Sequence, residues 1–397
     1  MYRPSLAKDR VKCSLNSITN YVQLMCPYVF ISRLMGFIPY KIVSSKFVYS
    51  KPYFVYSTII FVSYVTYLAF CVYKVNFHYR EIYTFILHRM HLTFNIIFGL
   101  VVITSAYALK RSVLRIIERI SQISRMLPPK MFSSLAKKMY TKDALMFSLS
   151  LSFTLYGLSS YTIPLLYAVW IPFFVILVIN TLYTNNVYVL EACLKEINDV
   201  LVKLREILLN DEPHLLRRVY HSQKNPILLA ELRTLKKQHL EISEIVRTMD
   251  SAFGASILTI LILLLIDISL NLYVYLVMMN QGGRITELFS INLFFVFHHV
   301  LEVILIIWAT EKAKTQGKRI GSNIHRIIIH TYDKEITDEL KLFSMQVLQK
   351  EITFTAKGLV LDATVLTKVN SWKTLIKEVS FYLHVFFRLC AASLRSY

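Results

Sequence analysis

One apolar run, "FFVFHHVLEVIL", carries three side chains of the kind that hold metals or move protons: His298, His299 and Glu302. In a helix the two histidines stand four and three residues before the carboxylate, on adjoining parts of one face. Two imidazoles and a carboxylate are zinc-type ligands. The pattern is weaker than H-E-x-x-H, however, and no other span offers matching His, Cys or carboxylate ligands, so a metal is not expected. Two readings stay open: a polar lining for a ligand cavity, or a satisfied network between helices. No cofactor is expected.

A second polar island sits in "LTILILLLIDISLNLYVYLV", where Asn271 follows Asp267 by one helical turn on the same face. An ionisable group within a membrane span costs about 2.5–3.5 kcal/mol on insertion scales, so it faces a partner or a water-filled cavity. Aromatic side chains are abundant: Tyr161, Tyr167, Trp170, Phe173, Phe174, Tyr275, Phe294, Phe295, Phe297 and Trp308. They fit either an interfacial belt or an apolar pocket with a few polar groups. His91 and Asn95, in another apolar run, would add polar contacts to such a pocket. There is no hydrolase elbow, P-loop or glycine-rich nucleotide fingerprint, so an enzyme is not expected.

The elements that must position these groups are membrane helices. The chain has 397 residues, 55% of them hydrophobic and only 18% charged. That is more apolar surface than a soluble domain of this size buries. A bilayer core takes roughly 20 apolar residues per helix, and six windows meet the requirement: 53–74, 87–109, 144–164, 166–189, 251–279 and 287–310. A seventh begins near 352. The fold class expected is all-α, a polytopic bundle of about seven spans.

The formal charge of +20 is gathered beside these spans, not on a nucleic-acid-binding face. Lys and Arg crowd residues 1–52 and 110–142, whereas the alternate connections, such as "YAVWIP" and "NQGGRITE", hold few. The basic loops face the cytoplasm and meet anionic lipid headgroups, which places the N-terminus inside. Nucleic acid is not an expected partner.

The long connections are themselves helical. Leu194, Ile197, Leu201, Leu204 and Leu208 recur at spacings of three and four, and Leu235, Ile242, Ile245 and Met249 keep a helical phase. Both read as span helices continuing into the cytosol, with Asn210, Pro213 and Pro226 breaking the pair. The organisation expected is an N-terminal cytoplasmic segment 1–52, a six-span bundle 53–310 with a cytosolic extension 190–250, and a cytosolic helical segment 311–351 containing Ile320, Ile324, Ile327 and Ile328. A seventh helix start and an atypical tail follow at 352–397. The five cysteines show no C-x-x-C or metal spacing and are read as free thiols.

At this point the residues resemble the insect gustatory receptors, within the insect chemoreceptor superfamily. "ISRLMGFIPYKI" is similar to the family's leader, with Gly36 and Pro39 in place. "LKKQHLEISEIVRTMDSAFGASIL" resembles its entry into the fifth span, through His239, Leu240, Phe253 and Gly254. "LKLFSMQVLQKEITFTAKGLVLDATVL" resembles the opening of its seventh helix, through Phe343, Gln346, Phe354, Gly358, Leu361 and Asp362. The resemblance implies a multi-pass plasma-membrane receptor for small-molecule tastants. It further implies a non-selective cation channel whose four subunits, alike or mixed with other gustatory subunits, surround a pore lined by seventh helices. Ligand binding is expected in the outer half of the second to sixth spans. Sugar receptors carry motifs absent here, so a bitter, plant-compound type is expected. A transporter is the second reading and a G-protein-coupled receptor the third; there is no D-R-Y or N-P-x-x-Y, and the topology opposes the latter.

The family's seventh helix ends in a Thr-Tyr pair, several apolar residues and Gln-Phe. Here "KVNSWKTLIKEVSFYLHVFFRLCAASLRSY" has no such ending. Lys368-Val369-Asn370 can be encoded as AAG GTA AAT, a good splice donor, so the final residues are read either as a translated intron or as divergence.

Overall fold

The computed structural model describes residues 18–43, 46–78, 86–157, 163–209, 217–280, 287–331 and 333–361. Their order is α1 (Tyr21–Leu34), β1 (Tyr40–Val43), β2 (Lys46–Tyr49), α2 (Lys51–Tyr73), α3 (Ile86–Ile123), α4 (Pro129–Gly157), α5 (Ile163–Leu209), α6 (Arg217–Asn280), α7 (Glu287–His330), α8 (Lys334–Gln349), β3 (Thr355–Ala356) and β4 (Leu359–Val360). The all-α membrane bundle is as expected, and within the described residues the apolar windows lie along the helices α2 to α7, the one at 144–164 running past the end of α4. Among the described residues, four helical stretches are long and apolar enough to cross a bilayer: Lys51–Phe77, Thr93–Met126, Trp170–Leu208 and Pro226–Leu270.

The helix α5 runs through the middle, packed on α7, α3 and α6, and its apolar window is almost wholly buried. By contrast α2 leaves Val55, Ile59 and Val62 exposed, which in a membrane places them against lipid. The short α1 is capped by Asn20, whose side chain accepts from the Gln23 amide at 3.0 Å. Polar bonds then dock it inside the bundle. Tyr21 donates to Asn186 Oδ1 at 2.6 Å and Tyr28 to Asp143 Oδ2 at 2.5 Å, while Asn185 also donates to Asp143 at 2.8 Å.

Three expectations are corrected. Pro226 does not break the chain but lies inside α6, which starts at Arg217; Asn210 and Pro213 lie outside the described residues. A proline removes one helical hydrogen bond, and here packing of the rows that follow (Leu228, Leu232 and Leu235, all buried) outweighs that loss. The cytosolic segment expected at 311–351 is the continuation of α7 to His330, followed by a separate α8.

The seventh helix does not begin at 352. Residues 352–356 alternate buried and half-buried, the period of a strand and not of a helix. Thr355 pairs with Val360 and Ala356 with Leu359. The two-residue turn between them, Lys357 and Gly358, has positive φ at both positions, 53° and 97°, as a tight hairpin of matched twist requires. The third correction concerns thiols: Cys71 and Cys193 are free and buried, but Cys26 is disulfide-bonded. Spacing along the chain does not report which thiols approach in space.

Beyond the apolar stretches, α5, α6, α7 and α8 make a second core. Leu194, Ile197, Leu201, Ile242, Ile245, Ile320, Ile324 and Ile327 are fully buried there, as their spacing foretold. Asp333 caps α8 by accepting from the amides of Glu335 and Ile336, and Ile336, Leu340 and Phe343 turn inward. Asn198 ties α5 to α7, donating to the Gln316 carbonyl at 2.9 Å and accepting from Asn323 at 2.8 Å. On the adjoining face Glu339 is held by Lys236 and Arg233, and Gln346 Nε2 donates to the Lys236 carbonyl at 2.8 Å.

The hairpin is seated between two helices. Thr355 donates to Asp250 Oδ2 of α6 at 3.0 Å, and Thr310 of α7 donates to the Leu361 carbonyl at 3.0 Å. A side chain on Gly254 would bring a Cβ to 3.0 Å from the Lys357 nitrogen, so glycine is what lets the hairpin backbone lie on α6.

Candidate functional site

The polar groups singled out from α6 and α7 meet in one cluster. Asp267, His298, His299 and Glu302 are each at most 4% exposed. His299 bridges two carboxylates, its Nε2 3.8 Å from Asp267 Oδ2 and its Nδ1 3.7 Å from Glu302 Oε2. His298 Nδ1 stands 4.0 Å from the same Glu302 oxygen. These separations are longer than an ordinary hydrogen bond.

Two helices hold the cluster from outside. Asn180 of α5 donates to Glu302 Oε1 at 2.9 Å, and Ser150 Oγ of α4 lies 3.0 Å from His298 Nε2. Asn180 and Ser150 went unremarked in the sequence. The signal for Asn180 was an amide inside the apolar run "FFVILVINTLY"; a lone serine in a span carries almost none. An aromatic wall closes the other side. The Phe173 ring lies 4.5 Å from that of His298 and 5.9 Å from that of His299, and Trp170 packs edge-on to Phe173 at 5.3 Å. The cluster is thus walled by aromatic side chains and holds a few convergent polar groups.

The remaining expected residues divide. Asn95 is half-buried on α3 and Trp170 is buried on α5. His91 lies on α3, Tyr167 on α5, Asn271 and Tyr275 on α6, and Phe295 on α7, but their side chains, like Tyr161 and Asp362 altogether, lie outside the described residues. Of the seventh-helix motif, Phe354 and Leu361 are buried in the hairpin seat while Gly358 makes its exposed turn.

A bundle of membrane helices that buries a carboxylate and imidazole cluster under an aromatic wall defines a polytopic membrane protein. A family model described as 7tm Chemosensory receptor matches residues 25–369, and the chain belongs to that family. It is therefore a receptor and not an enzyme, and the resemblance read from the motifs holds. Gustatory receptor 23a of Drosophila melanogaster is 25% identical over 127 residues, which are 32% of this chain and 34% of that relative. The olfactory receptor OR5 of Machilis hrabei superposes with a TM-score of 0.67 at 11% identity, covering 91% of this chain and 98% of that one. Its complex with eugenol superposes with a TM-score of 0.64 at 10% identity, over 91% and 99%. At these identities the likeness is one of fold.

Proposed function

We propose that the chain is a gustatory receptor of the plasma membrane, a subunit of a tastant-gated, non-selective cation channel answering bitter plant compounds. The observation that carries the reading is the sealed cluster of Asp267, His298, His299 and Glu302 against Phe173, midway along the apolar stretches of α6 and α7, in a chain of the chemosensory family. The homologous fold of OR5 is known with eugenol, a small aromatic compound, which suits an aromatic-walled site. In this reading the N-terminus and the second core of α5–α8 are cytosolic. Four subunits, identical or mixed with other gustatory subunits, assemble through that core around a common pore.

The tail after Lys368 belongs to the same proposal. The family match stops at residue 369, where the family-like pattern gives out. In this reading the form with this tail binds ligand without conducting alone, its last residues being either a translated intron or a divergent ending. A continuous exon through Tyr397, with no downstream exon encoding the missing ending, rejects the intron.

The functional test is whole-cell current in cells expressing the chain, beside a version whose residues after Lys368 carry a standard family ending, each given a panel of bitter plant compounds. Current from the repaired chain alone is expected. A repaired chain that reaches the surface and stays silent across the panel, with and without other gustatory subunits, rejects the channel reading.

A further inference from the structure

The cluster that forms the proposed pocket also has the donor set, the outer partners and the charge of a metal centre. We propose that His298 Nδ1, His299 Nδ1 and Glu302 Oε2 bind one divalent transition-metal ion of the zinc type. The first observation is convergence: one ligand atom from each of the three residues lies within 4.8 Å of the others. The second is that two of these atoms are buried without a hydrogen-bond partner, His298 Nδ1 and Glu302 Oε2. A buried polar atom left unpaired is costly, and here two of them face each other across 4.0 Å.

Proton placement sharpens the point. The Ser150 hydroxyl gives its single proton to the Met146 carbonyl at 2.8 Å. With that proton so placed, its oxygen accepts at 3.0 Å from His298 Nε2–H, and the tautomer this selects carries a bare lone pair on Nδ1. Glu302 Oε2 is likewise an acceptor, because Oε1 already receives the Asn180 amide. Two acceptors aimed at each other call for a cation between them.

Each ligand also has an outer partner on a different helix. His298 is oriented by Ser150 of α4, Glu302 by Asn180 of α5, and His299 Nε2 faces the Asp267 carboxylate of α6 at 3.8 Å. A carboxylate behind a ligating imidazole is the usual way a metal's histidine is held and made more basic. Charge agrees: two buried carboxylates, Asp267 and Glu302, are neutralised by one divalent ion with both imidazoles neutral.

Zinc bonds of about 2.0–2.1 Å give ligand-to-ligand edges of roughly 3.3 Å in a tetrahedron. The observed 3.7 and 4.0 Å need a contraction of roughly half an ångström, and the third edge, between the two imidazoles and within 4.8 Å, one of up to about 1.5 Å. Three protein ligands leave a fourth position open, as in metal sites that exchange water for a small molecule. The expectation from sequence excluded a metal because no second span supplied ligands; in the fold, the ligands come from one helix and the other spans supply their supports.

The test needs no tastant and no current, so it stands or falls apart from the channel reading. The full chain is purified in lipid nanodiscs, stripped with chelator, loaded with Zn²⁺ or Co²⁺ and desalted, and its metal content is measured. One zinc per chain is expected, with a visible ligand-field band of low-coordinate cobalt. Glu302→Gln and His298→Gln lose the ion, and Asp267→Asn weakens binding by about 10- to 100-fold. No stoichiometric zinc and no cobalt band in a monodisperse wild-type chain overturns the proposal and leaves protons on the imidazoles to balance the cluster. Equal zinc uptake by wild type and a folded Glu302→Gln chain overturns it too. If that variant fails to fold, the wild-type cobalt spectrum alone decides.

Discussion

Acidification should loosen one end of this molecule through a single imidazole, that of His239. The residue lies on the part of α6 that extends beyond the apolar stretch 251–279. It is 1% exposed, with the Phe343 ring edge-on at 5.8 Å and Gln346 Nε2 at 3.3 Å from Nδ1. Burial holds its pKa down to about 4, against an ordinary 6.5. The folded chain thus binds this proton less readily than the unfolded one. The stability concerned is fully present above pH 6.5 and is lost as pH falls toward 4. Across that whole interval it amounts to about 3 kcal/mol, and at pH 5 to about 2 kcal/mol, or roughly a 30-fold rise in local opening. Asp250 works in the opposite sense, since burial raises its carboxyl to about 6 against the pull of the Thr355 hydrogen bonds, so below that pH the folded chain gains a proton. The readout must therefore be local. Hydrogen exchange of peptides covering α8, corrected for intrinsic rates, should show the 30-fold rise between pH 7 and 5 in the wild type and lose it in His239→Gln. An α8 whose pH response is unchanged by that substitution would refute the reasoning.

Two further outcomes are expected. Phe343→Ala removes a fully buried ring from the second core and should cost about 3–5 kcal/mol, read as exchange and protease cleavage confined to α8 and the adjoining part of α6. Gly358→Ala meets nothing within 4 Å but must adopt φ of 97°, so its cost is backbone strain of about 1–2 kcal/mol; limited proteolysis at the hairpin, with α8 exchange unchanged, checks it.

The spans and their extensions were legible because each rests on a repeating signal, an apolar run or a spacing of three and four, that many residues share. His298, His299, Glu302 and Asp267 were legible because a titratable group in an apolar run stands out against its own neighbours. What failed rested on single residues or on space. Pro226 marks a break in isolation but not where buried leucines continue the helix. The run from Ile352 holds both β-branched residues and an apolar content that suits a helix, and only the seat between α6 and α7 settles it as a hairpin. Ser150 and Asn180 gain meaning only from what crosses opposite them, which a linear chain does not display.

The hairpin has a mechanical consequence. It is tied to α6 through Thr355 and Asp250 and to α7 through Leu361 and Thr310, each time at 3.0 Å. Hydrogen bonds of this kind fade beyond about 3.5 Å. A slide of α6 against α7 by more than about half an ångström cannot be absorbed by both ties, so the hairpin must let go of one helix and ride with the other. It is therefore a differential gauge: common motion of the two helices leaves it undisturbed, relative motion trips it, and whatever chain continues past Leu361 starts from a footing that registers the difference.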